Sequence, residues 1–208
     1  NAIALTYLKG ETSATIDDGV DFPSRNIEKG VAQPWQKDSL YNKISLPKNI
    51  VENLKSTNSA SFLVIKDGKL VHEEYFGEYK PTTQTNSFSM AKAITVLLMG
   101  LAIEDHKIQS ENQKFADFYP NFNEVEHGNE LTLRDLAAME AGYYWDEDYR
   151  NPFLQNPRIY YGKNMAEALL KSPQFEAKPG SRFEYQSGAT QLLGFAIRKA
   201  VNVPLSAY

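Results

Sequence analysis

The strongest hydrophobic pattern in the chain is a pair of short runs followed by a long apolar segment. Residues 61–77 contain two runs rich in β-branched and aromatic side chains, separated by Asp67-Gly68. That dipeptide between two such runs is a strong signal for a β-hairpin. A polar stretch follows, and residues 90–103 are then apolar on nearly every side. The pattern predicts two strands, a loop and a buried helix that is too short to span a bilayer.

Capping residues and helical spacing predict three further helices. Thr132 with Asp135 three positions later predicts a capping box, and Gly142 would end that helix. Residues 164–171 are predicted as a second short helix. Apolar residues at helical spacing predict a third helix over residues 187–201.

Turn-forming residues divide the chain into four predicted segments. Residues 1–59 form an N-terminal extension with one short helix and a strand at residues 3–8. Residues 60–104 hold the hairpin and the apolar helix, and residues 105–184 are mostly helical. Residues 185–208 form a last segment that contains a return helix.

Ser89 and Lys92 are the first candidates for chemistry. They are three positions apart at the head of the apolar helix, and residues with that spacing share a helix face. The lysine could therefore accept a proton from the serine and activate a weak nucleophile. A buried lysine is costly without a partner, which favours this pairing. In the alternative, Ser89 only caps the helix and Lys92 extends to solvent.

The same spacing occurs a second time, at Ser45 and Lys48. A serine followed by a lysine three positions later should arise by chance about once in a chain of this size. Ser45 stands before Pro47 and a short amphipathic stretch, so we interpret it as a helix N-cap. The sequence context therefore favours Ser89 as the nucleophile.

Four segments, taken in order, match the motifs of one family. They are the nucleophile motif at residues 86–92 after the hairpin, and the segments at residues 114–120, 131–142 and 178–187. Together they resemble the β-lactamase and penicillin-binding-protein superfamily of serine hydrolases. The most similar branch is the class C-like one, which includes esterases, D-aminopeptidases and 6-aminohexanoate-dimer hydrolases. The resemblance extends over residues 59–208.

This resemblance implies a β-lactamase/transpeptidase-like fold, an α/β domain plus an all-α subdomain, with an antiparallel sheet and helices. It implies that Ser89 attacks an amide or ester to form an acyl-enzyme, activated by Lys92 and Tyr185. Ser187 stands where many relatives have an asparagine, and would bind substrate. The substrate would be a β-lactam, a D-amino-acid peptide or a small ester, and the protein would act outside the cytoplasm.

The family's third motif, a Lys or His followed by x-Gly on an edge strand, has no counterpart after Tyr185. Lys163 and His127 both precede that residue. We therefore expect a fold that is incomplete at the C-terminus, and a chain that is the front part of a longer polypeptide. Alone it would be either inactive or completed by another chain. Two alternatives stay open. One is a non-catalytic homologue that binds peptide or cell-wall fragments, and the other is an interaction domain in which Ser89 is only a cap.

Composition argues against several other functions. A net charge of −4 without basic clusters argues against a nucleic-acid partner. The chain has no cysteine, which excludes a thiol nucleophile and disulfides. His72, His106 and His127 lack metal-ligand spacing, so we interpret them as structural or surface residues and predict neither a metal nor a cofactor.

Residues 142–149 form an aromatic and acidic loop. Its tyrosines and tryptophan could wall a substrate cleft, since they combine apolar area with a polar group. They could instead pack on the helical layer. We favour packing by a small margin, because aromatic side chains are buried more often than they bind ligands.

Overall fold

The computed structural model describes residues 15–21, 26–148, 155, 159, 164–171 and 173–208. They divide into two compact units. One is Glu28–Thr85, and the other combines Asn86–Tyr208 with the described residues of Asn1–Ile27. The strand predicted at residues 3–8 lies outside the described residues, and the four segment boundaries stay a prediction.

The first unit contains a three-stranded sheet with the order β1-β3-β2. Its strands are β1 (Gln36–Lys37), β2 (Ser61–Lys66) and β3 (Lys69–Tyr75). β2 and β3 are antiparallel, and Asp67 and Gly68 between them both have positive φ, at 48° and 73°. This backbone geometry is the one that a tight hairpin turn requires. The predicted hairpin is confirmed, but β1 runs parallel to β3, so the sheet is mixed and not purely antiparallel.

The N-cap of the helix of this unit, α1 (Lys48–Ser56), is Pro47 and not Ser45. The carbonyl of Pro47 accepts hydrogen bonds from the N–H groups of Ile50 and Val51. An N-cap residue provides the first carbonyl that accepts such a bond, so Pro47 holds that position. The predicted helix is confirmed, whereas the prediction that Ser45 caps it is wrong.

The second unit is built from helices. They are α2 (Met90–Glu104), α3 (Leu133–Ala137), α4 (Met165–Leu170) and α5 (Ser187–Val201). Short 3-10 turns at Phe115–Asp117 and Pro120–Glu124 follow α2. The bounds of α5 match the prediction, and Asn164 caps α4 through its side chain. None of the described helices is both long and apolar enough to cross a membrane.

The capping box before α3 is confirmed, but the helix is shorter than predicted. The Thr132 side chain accepts a hydrogen bond from the Asp135 N–H, and the Asp135 carboxylate accepts one from the Thr132 N–H. α3 then ends at Ala137, and Met139 has a positive φ of 59°. That left-handed conformation cannot continue a right-handed helix, so the stop comes before Gly142.

The core of this unit lies around α5, which packs against α2 and α3. Leu192, Leu193 and Ile197 on α5 are fully buried, together with Phe115 and Phe122 of the 3-10 turns. Each such side chain contributes about 1.5–3 kcal/mol through removal of apolar area from water. This packing fixes α5, and with it the segment that leads into its first turn.

α2 is more exposed than its composition predicts. Met99 and Ala102 are buried, whereas Met90 and Leu97 keep 70% and 64% of their surface accessible. Lys92 in the first turn is half-buried. The prediction that Lys92 begins a buried helix is therefore wrong in this structure.

Candidate active site

Ser89 lies at the N-terminal boundary of α2. Phe88 before it has a φ of 44°, a left-handed conformation that is rare and costly for a bulky residue. The Ser89 side chain makes no capping hydrogen bond. Within the described residues its backbone N–H donates no hydrogen bond to another backbone group. The hydroxyl and the N–H of Ser89 are therefore not used to cap the helix that follows.

Two side chains converge on the hydroxyl oxygen of Ser89. Lys92 Nζ lies 3.1 Å from Ser89 Oγ, and Tyr185 Oη lies 2.7 Å from it. Lys92 Nζ also lies 5.1 Å from the centre of the Tyr185 ring. The structure thus brings together three of the predicted site residues, from the first turn of α2 and from the segment before α5.

The surroundings of Tyr185 favour the loss of its proton. Burial would raise the pKa of this phenol, but the hydrogen bonds with Ser89 and Lys92 and the charge of Lys92 outweigh it. The pKa of Tyr185 therefore lies below its ordinary value of 10.0. The side chain is 44% exposed, so this cluster is open to solvent.

Asn86 holds the segment that leads into Ser89. Its backbone N–H donates to the carbonyl of Ile16 at 2.8 Å, and its side-chain amide donates to the carbonyl of Thr15 at 3.0 Å. Two hydrogen bonds from one residue restrain both the position and the direction of the chain. The approach to Phe88 and Ser89 is thereby fixed.

Ser187, the predicted substrate-binding residue, is buried and bonded to Glu147. It is 2% exposed, and its hydroxyl donates to Glu147 Oε1 at 2.6 Å. Its backbone N–H donates to Glu147 Oε2 at 2.9 Å. The structure therefore does not place Ser187 where we expected it to bind substrate, because its polar groups are taken up by Glu147.

The loop at residues 143–147 packs against the start of α5. Tyr143 and Trp145 are 3% and 6% exposed, which confirms the packing interpretation for these two aromatic residues. Trp145 Nε1 donates to Glu147 Oε2 at 2.6 Å, and Gln186 Nε2 donates to the carbonyl of Tyr143 at 2.6 Å. Tyr149 lies outside the described residues. Sequence reasoning did not single out Glu147, which is 40 positions from its partner Ser187.

The structure describes all three histidines. His72 contacts Glu74 at 3.3 Å and His127 contacts Glu130 at 3.0 Å, while His106 has a positive φ of 55° after α2. Across the part of the chain that the structure describes, no group of three or more histidine and carboxylate side chains could hold a metal ion.

Comparison with known proteins supports the resemblance seen in the sequence. The Beta-lactamase family model matches residues 47–208. A protein of Escherichia coli K12, provisionally named a D-alanyl-D-alanine carboxypeptidase, is 23% identical over 172 residues. That match covers 72% of this chain and 39% of the relative. The chain thus spans well under half the length of this relative.

Solved structures show the same fold. One from Bacillus anthracis, provisionally named a 6-aminohexanoate-dimer hydrolase, has a TM-score of 0.62 at 24% identity, over 76% of this chain and 44% of that one. A class C beta-lactamase has a TM-score of 0.53 at 18% identity, over 75% of this chain and 43% of that one. The expected β-lactamase/transpeptidase-like fold is therefore confirmed. Since the family model covers most of its length, the chain belongs to the Beta-lactamase family, whose members include serine hydrolases.

Proposed function

We propose that the chain carries the nucleophile of a serine hydrolase that acts on an amide or ester through an acyl-enzyme. The observation that carries this proposal is the convergence of Lys92 Nζ and Tyr185 Oη on Ser89 Oγ, at 3.1 and 2.7 Å. These separations are within the reach that general acid–base catalysis requires. A serine with two such neighbours and no capping bond is arranged as a nucleophile.

In the proposed reaction, Tyr185 acts as a phenolate, stabilised by the neighbouring Lys92 ammonium. Ser89 passes its proton to Tyr185 as its oxygen bonds to the substrate carbonyl carbon. The leaving amine or alcohol then takes that proton when the carbon–heteroatom bond breaks. Water cleaves the resulting ester of Ser89 by the same transfers in reverse order. The N–H of Ser89 is one donor that could stabilise the oxyanion.

We propose an amide or ester substrate. The relatives' names indicate β-lactams and D-amino-acid peptides, and small esters are proposed from the sequence resemblance. An extracytoplasmic location is proposed on the same resemblance. The contribution of Ser187 is proposed to be indirect, through Glu147, because its hydroxyl is buried.

The experiment is covalent labelling of the full-length protein with a fluorophosphonate, followed by mass spectrometry of the modified peptide. The serine oxygen displaces fluoride from phosphorus in this reaction, so the probe reports an activated serine without requiring turnover of a natural substrate. We expect the label on Ser89, and we expect S89A to abolish it. Y185F should slow labelling by about 10²–10⁴-fold, the usual contribution of a positioned general base.

Ser45 provides the matched control, because it has the same spacing to a lysine. S45A should be labelled at the rate of the parent protein. Labelling that persists in S89A, or that moves to Ser45, would show that Ser89 is not the nucleophile. No labelling at all, together with binding of cell-wall peptides, would favour the non-catalytic alternative.

A further inference from the structure

Glu147 accepts two hydrogen bonds from Ser187, in the first turn of α5. Ser187 is the first residue of that helix, and both its N–H and its hydroxyl donate to the Glu147 carboxylate, at 2.9 and 2.6 Å. The first N–H groups of a helix have no partner within the helix, and a carboxylate is a favourable acceptor there. Glu147 therefore supplies from a distant loop the cap that Gln186 at the N-cap position does not provide.

Two further contacts hold the same loop against the same turn. Gln186 Nε2 donates to the Tyr143 carbonyl at 2.6 Å. The Trp145 ring lies so close to Gly188 that a Cβ added there would be 2.5 Å from Trp145 Cε3. Trp145 in turn donates to Glu147 at 2.6 Å, which fixes the rotamer of the carboxylate. Three consecutive residues, Gln186 to Gly188, are thus held by one loop.

Tyr185 is the residue immediately before this restrained segment. Its phenol must meet Ser89, which comes from a different helix, and the hydrogen bond between them is 2.7 Å long. A small rotation of the first turn of α5 would be magnified at the end of a tyrosine side chain. The restraint on residues 186–188 therefore bears directly on the geometry of Ser89 and Tyr185.

Glu147 also acts on Tyr185 through its charge. The charges that act on the phenol are Lys92 of α2, which lowers its pKa, and Glu147, which raises it. The charge of Glu147 thus acts on the phenol in the opposite direction to the charge of Lys92.

We propose that Glu147 is a positioning residue of this site, which holds Tyr185 over Ser89 by capping α5. The catalytic role of Glu147 rests on the proposed hydrolase function. The environment of the Tyr185 phenol, in contrast, can be measured without any reaction.

The test compares E147Q with E147A. Glutamine keeps the shape of glutamate, and its amide oxygen can still accept from the Ser187 and Trp145 N–H groups, while its NH₂ can donate to the Ser187 hydroxyl. E147Q therefore removes the charge and retains the cap, whereas E147A removes both. D146N is the matched control, because it removes a charge from the adjacent position of the same loop.

The first readout is the titration of Tyr185 by NMR in protein labelled at the tyrosine Cζ, with the resonance assigned by Y185F. In E147Q the apparent pKa of Tyr185 should fall, because a negative charge that raises it is removed. D146N should leave it unchanged. The second readout is the rate of Ser89 labelling by fluorophosphonate, which should fall at least about tenfold in E147A, the scale of a misplaced catalytic group.

Parent-like labelling in E147A overturns the inference, and so does an E147Q protein that is labelled as slowly as E147A, because E147Q keeps the hydrogen bonds. If E147A does not fold, S187A replaces it, because it removes one of the two hydrogen bonds that Ser187 donates to Glu147. Parent-like labelling in S187A then overturns the inference. If the parent protein is not labelled at Ser89, the proposed function fails, and the Tyr185 resonance still shows whether Glu147 governs the phenol.

Discussion

Replacement of Gly188 by alanine should destabilise the protein, although alanine is the better helix former. The added Cβ would lie 2.5, 2.8 and 2.9 Å from three carbon atoms of the Trp145 ring. Carbon atoms in contact are normally about 3.5–4.0 Å apart, so the ring would have to move by roughly 1 Å. The ring is rigid, and its Nε1 is hydrogen-bonded to Glu147, so it has little freedom to move.

The expected magnitude follows from two opposing terms. Overpacking a core position costs about 1–3 kcal/mol, and a buried indole held by a hydrogen bond belongs at the upper end. The higher helix propensity of alanine than of glycine stabilises the variant by about 1 kcal/mol. We therefore expect G188A to lower the free energy of unfolding by about 2 kcal/mol.

Gly194 on the same helix is the matched control. A Cβ there would meet Leu205 Cδ1 at 3.6 Å, which is an ordinary contact. G194A should therefore gain helix propensity and raise the free energy of unfolding by about 0.5–1 kcal/mol. Urea unfolding followed by circular dichroism at 222 nm measures both variants. A G188A protein that is as stable as G194A would refute the close packing of Trp145 on α5.

Further predictions concern helix caps and a buried phenol. T132A should lower the free energy of unfolding by about 1 kcal/mol, whereas S45A should change it little, because Pro47 caps α1; equal losses in urea unfolding would contradict this. Y143F should cost about 1 kcal/mol at pH 7, since the Leu169 carbonyl loses its donor. Burial raises the pKa of Tyr143 to about 12, above its ordinary value of 10.0. The stability that Tyr143 adds is therefore complete below pH 10 and is lost as the pH rises toward 12, so the gap to Y143F should shrink in that range; a gap that widens would contradict the sign.

Features that depend on a few neighbouring residues could be predicted from the sequence. Asp67-Gly68 defines its turn because those two positions need positive φ, and the bounds of α5 follow from apolar spacing. The pairing of Ser89 with Lys92 is also local, since it needs only one helical turn. The meeting of Ser89 with Tyr185 came from the family resemblance, because no local pattern links residues so far apart.

Features decided by competition between neighbours, or by distant contacts, could not be predicted. Ser45 and Pro47 both fit a helix start, and the backbone selects the later one. Met139 ends α3 in a left-handed conformation for which methionine gives no signal. Glu147 stands in an acidic loop whose sequence does not indicate which carboxylate will reach Ser187. The contact between Glu147 and Ser187 can be identified only from the tertiary structure.

The distance along the chain between Ser89 and Tyr185 has a consequence for folding. They are 96 positions apart, so their hydrogen bond closes a loop of nearly half the chain. Such non-local contacts form late, because the entropy of loop closure must be offset before they stabilise the fold. The nucleophile should therefore gain its reactivity only when refolding is almost complete. The rate at which Ser89 becomes reactive toward a fluorophosphonate after dilution from urea would then measure the rate of the last stage of folding.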